Sequence, residues 1–144
     1  RYFKNPRRDM ALSALAGPVS NFILAFIGVL IGAILTKVLP NVLPYTQMGV
    51  NIYQVSLTFF ELFAILNIGL GLFNLIPCPP LDGSRIFYVF LPPRYYFGVM
   101  KYERYISLAI LVLLYTGVLS VPLGYARNLI LSGMKFLVGL IPFL

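Results

Sequence analysis

The chain has 144 residues, 60% of them hydrophobic and only 10% charged, with a mean hydropathy of +0.90, a composition that excludes an ordinary soluble core and points to a membrane protein. Eleven Lys and Arg against four acids give a net charge of +7, but the bases lie mostly between apolar runs, so they mark the flanks of membrane segments and leave no soluble basic face for nucleic acid. The single cysteine, Cys78, excludes an internal disulfide and a CxxC metal site, and with no histidine in the chain it lacks the base that a cysteine nucleophile needs.

Arg1, Lys4, Arg7 and Arg8 open the chain as a basic flank, which places the amino-terminal end of this chain on the cytoplasmic side of a cell membrane. There is no initiator methionine, and the expectation is that a preceding helix is missing. Asp9 can cap a first membrane helix expected over residues 10–36. Ala14, Gly17, Asn21, Ala25, Gly28 and Gly32 recur there at spacings of three and four, a stripe of small residues and one amide that permits close packing against a neighbouring helix. Gly17-Pro18 is expected to kink the helix below Asn21. Pro40 to Asn51 reads as a short uncharged loop. A second helix is expected over 53–76, with Ala64, Asn67, Gly71 and Asn74 on one face, so that the two stripes meet in a common interior. Glu61, a glutamate inside a spanning segment, is either a functional candidate or, the reading preferred because it stands near the end of that helix remote from Asp82, an outer-surface acid that is protonated or paired with Lys37.

Asn74-Leu75-Ile76-Pro77-Cys78-Pro79-Pro80-Leu81-Asp82-Gly83 follows. Three prolines in four residues break the helix, and Gly83 lets the chain turn directly after the acid. A carboxylate on rigid, non-helical backbone at the membrane edge is either a solvated turn residue or part of a site. Beyond it, Arg85, Arg94, Lys101 and Arg104 mix with tyrosines in the manner of a cytoplasmic interface, and Arg85 is close enough in sequence to pair with Asp82. Apolar runs expected to form helices over 105–121 and 129–144 close the chain; the last contains Lys135 and is short enough to tilt or lie partly in the interface. The fold class is all-α, a multi-pass transmembrane bundle of about four helices over residues 1–144.

Asn74-x-x-Pro77-x-x-x-Leu81-Asp82-Gly83 resembles a motif of the site-2 protease family, the intramembrane zinc metalloproteases of peptidase family M50, and Gly17-Pro18-x-x-Asn21 resembles a second one. The opening basic segment is similar to the one that precedes the corresponding helix in compact bacterial members, and the 40–51 loop is too short for the PDZ domain of larger ones. The resemblance implies that Asp82 is a zinc ligand, that Asn74 and Asn21 lie at the catalytic centre, and that the substrates are transmembrane segments of membrane-anchored proteins. The family's His-Glu-x-x-His helix, source of two further ligands and the general base, is absent from this chain. Two functions follow: part of an intramembrane zinc endopeptidase, with the lipid bilayer and membrane substrates as partners, or a catalytically inactive scaffold of the same fold that binds helices. The oligomeric state is not encoded in any of these features.

Overall fold

The computed structural model describes residues 6–76 and 93–141, which form four helices: α1 (Pro6–Val42), α2 (Gln47–Leu75), α3 (Pro93–Tyr115) and α4 (Ser120–Gly139). There is no strand among the described residues. α1 and α2 are each long and apolar enough to cross a membrane, and α3 with α4 makes a third crossing if that bent pair counts as one span.

The helices are longer and differently bounded than the sequence predicts. α1 starts on Pro6, where a missing N–H costs nothing, and continues through both Pro18 and Pro40 to Val42. Much of the expected 40–51 loop is therefore helical. The chain turns over residues 43–46, and Thr46 caps α2 by accepting a hydrogen bond from the Gly49 N–H at 3.2 Å. α3 starts on Pro93 and takes in the basic, tyrosine-rich stretch expected to be interfacial loop. It ends in a 76° bend to α4, where Gly117 adopts φ +78°.

Packing inverts the pattern of a soluble protein. Leu12, Ile23, Leu62, Leu66 and Leu70 point outward, while the fully buried positions include Ala25, Ala64 and Ile68. In lipid there is no solvent to hide leucine from, so helices associate where small side chains let backbones approach. Hydroxyls are absorbed locally: Ser20 donates to Gly17 O at 2.7 Å, Thr36 to Ala33 O at 2.6 Å and Ser56 to Ile52 O at 2.8 Å. Ile130, Leu131 and Met134 of α4 pack against the Ala25–Ala64–Ile68 cluster and so complete a three-helix core.

Candidate functional site

The α1–α2 contact fixes the site. Gly28 approaches Phe60 and Phe63, whereas Phe22 packs its ring over Gly71, so the two helices run antiparallel. The approach is close: a Cβ at Gly28 would sit 2.8 Å from the Phe63 ring, and one at Gly71 would sit 3.0 Å from the Phe22 ring. Both predicted stripes lie in this contact. Ala14, Ala25 and Gly28 of α1 are buried, as are Ala64, Asn67 and Gly71 of α2, with Asn21 and Asn74 half-buried.

Because Asn21 adjoins Phe22 and Asn74 lies three residues beyond Gly71, the antiparallel pairing brings the two amides to the same end of the bundle. Asn74 occupies the last turn of α2, which ends at Leu75 with the Ile76 N–H donating to Phe73 O at 3.1 Å. Asn67, two turns earlier on the same face, donates to Phe63 O at 2.8 Å and so serves its own helix. Asn21 and Asn74 make no side-chain hydrogen bond to another described residue, which leaves their amides available to a ligand. Asp82 falls outside the described residues, as do Cys78 and Arg85.

Zinc sites take three protein ligands at least, drawn from His, Cys, Asp and Glu. Among the described residues no three such side chains come together, and the chain has no histidine to add.

Glu61 is not near an end of its helix and does not meet Lys37. α2 begins about six residues earlier than predicted, so Glu61 lies midway between Gln47 and Leu75, and its Oε1 accepts a hydrogen bond from Lys135 Nζ of α4 at 2.8 Å. The pair lines an open cavity of about 350 Å³ bordered by α1, α2 and α4. The available signal was Lys135 itself, a base within an apolar run that matches the acid within another.

The chain is 39% identical over 124 residues to "Putative zinc metalloprotease YwhC" of Bacillus subtilis (strain 168), an alignment that covers 86% of this chain and 52% of YwhC, so the chain spans about half the length of that relative. No solved structure gives a significant match. The model of the family described as peptidase family M50 matches residues 2–117. On that match the chain belongs to peptidase family M50, the site-2 protease family of membrane metalloproteases.

Proposed function

We propose that this chain is part of an intramembrane zinc metalloendopeptidase that cleaves transmembrane segments of membrane-anchored proteins, with Asp82 as one metal ligand and Asn74 and Asn21 as amides that hold the substrate beside the cleaved bond. The observation that carries this reading is the pair of uncommitted, half-buried amides at one end of the α1–α2 contact, in a chain whose family match extends over both motifs. The relative's name, a zinc metalloprotease, supports the same chemistry. In such an enzyme zinc supplies an activated water and polarises the scissile carbonyl. The part left to this chain's amides is to hydrogen-bond the unwound substrate backbone and the oxygen on which charge develops. The protein would reside in the cell membrane with the basic flank of this chain on the cytoplasmic side.

The test is a pair of substitutions in the intact protein, reconstituted with a membrane-anchored substrate. Asp82→Asn is expected to abolish cleavage and lower the zinc content while insertion is unchanged, because an amide oxygen lacks the charge that zinc prefers. Asn74→Ala is expected to keep the zinc and lose about a hundred- to a thousandfold in kcat, the usual cost of one transition-state hydrogen bond. Full activity of Asp82→Asn refutes the ligand assignment.

A second reading, an inactive scaffold that binds helices, draws on the absence of histidine from these 144 residues. Metal analysis of the intact protein separates the two, since a scaffold holds no stoichiometric zinc.

A further inference from the structure

The Glu61–Lys135 pair has no part in the reading above, yet it is an expensive feature of the molecule. Ionisable side chains in a spanning segment face hydrocarbon unless a partner or a hydrated cavity receives them. Here the partners are 2.8 Å apart, but the two side chains remain 54% and 52% exposed, so they are paired without being covered. An ammonium has three N–H donors and a carboxylate two acceptor oxygens, and a single contact uses only one of each. The opposite wall of the cavity does not meet the remainder. It consists of Gly28, Gly32 and Ala33, which carry no polar side-chain atom, and of Thr36, whose hydroxyl is already donated to Ala33 O.

The cavity therefore suits an occupant that brings hydrogen-bonding groups to the depth of the pair. Glu61 is central in a helix of 29 residues, about 20 Å from either end at ~1.5 Å per residue. Lipid polar groups stay at the bilayer surface, about 15 Å from the midplane of a ~30 Å hydrocarbon layer. A transmembrane helix carrying an amide or hydroxyl side chain does reach that depth. The cavity of about 350 Å³ admits a few side chains rather than a whole helix, and its glycine wall lets a backbone come near.

We propose that this cavity is a docking site for the substrate's transmembrane segment, in which Glu61 and Lys135 hydrogen-bond an Asn, Gln, Ser or Thr side chain of that segment. The proposal rests on the peptidase reading for the identity of the helix. Glu61 lies 13 residues along α2 from Asn74. The recognised side chain then lies about 20 Å from the cleaved bond, roughly 13 residues of helical substrate and fewer where it is unwound. Glu61 and Lys135 are specificity residues in this scheme and touch no reacting atom.

The experiment uses the intact protein in liposomes and a substrate helix scanned with asparagine in place of leucine. A peak in kcat/KM of about three- to tenfold is expected at roughly 10–13 residues from the cleaved bond, the size of one hydrogen bond between membrane helices. The double variant Glu61→Leu with Lys135→Leu should still cleave the all-leucine substrate and lose the peak, since replacing an ion pair by packed apolar residues commonly spares the fold. The exchanged pair, Glu61→Lys with Lys135→Glu, should keep the peak. A peak unchanged in the double-leucine variant, or no peak in the native protein, overturns the proposal. A photoreactive side chain at Leu57, on the same cavity, gives a readout independent of cleavage. It should capture the asparagine substrate; capture of lipid alone, of the protein's own chain or of a second copy overturns docking. Capture without cleavage of any substrate refutes the peptidase reading and leaves the docking site standing.

Discussion

At Gly28 the difference between a hydrogen and a methyl group decides how near α1 can lie to α2. A Cβ there would be 2.8 Å from the Phe63 ring and 3.4 Å from Phe60 O, so the ring must move before any side chain fits. Gly32, which shares the stripe, has only Phe60 Cβ at 3.7 Å, an ordinary contact, because it borders the cavity. Gly28→Leu is therefore expected to lower stability in detergent by about 1–3 kcal/mol, the range for overpacking a filled contact. Gly32→Ala and Leu30→Ala should each change it by much less. Thermal unfolding of the three variants checks this, and equal losses would count against the stripe as the organising contact. The stripe could be read in the sequence because small residues at three-four spacing have a single geometric meaning on a membrane helix. The partner of Glu61 could not, because Lys135 is 74 positions away and nothing local specifies which helix meets which.

The elements show where proline and glycine carry different weight in lipid and in water. The first helix was expected to end at residue 36, ahead of a loop opened by Pro40, yet α1 runs past that proline and the Leu43 N–H still bonds Leu39 O at 2.9 Å. The turn comes instead from Pro44 and the cap from Thr46, beside Gly49, where an added Cβ would collide with the Pro44 carbonyl. Thr46→Ala is expected to cost about 1 kcal/mol, the usual worth of an N-cap, and to speed hydrogen exchange in the first turn of α2 without affecting its centre. Gly49→Ala should cost more, because backbone rather than a side chain must give way. At the far end of the chain, Gly117 makes the 76° bend in the left-handed region, where a side chain costs about 1–2 kcal/mol. The apolar runs were legible as membrane segments; the bend between the last two was not, because Gly117 looks like any other glycine in a membrane helix. Asn21 and Asn74 were legible as a pair for the same reason as the stripes, whereas Asp82 was named only by its motif and lies outside the described residues.

At the scale of the whole molecule the antiparallel α1–α2 pair imposes a topology. Residues 43–46, Leu-Pro-Tyr-Thr, carry no charge and face one side of the membrane, and Tyr45 is almost fully exposed. Pro6 and Ile76 stand at the other side, beside the basic flank and just before the segment that contains Asp82. Lysine and arginine in short flanks are retained in the cytoplasm, so four bases within eight residues outweigh an uncharged turn. The end of the bundle that carries Asn21 and Asn74 should then open to the cytoplasm, which would put the proposed cleavage near that surface. In a background without Cys78, a cysteine from Arg8→Cys or Arg94→Cys should react with an impermeant thiol reagent only after the cells are opened. One from Tyr45→Cys should react in intact cells. Labelling of position 8 from outside would reverse the orientation and move the proposed cleavage to the outer leaflet, where the docking distance from Glu61 would be unchanged but every substrate would have to enter with its opposite end facing the amides.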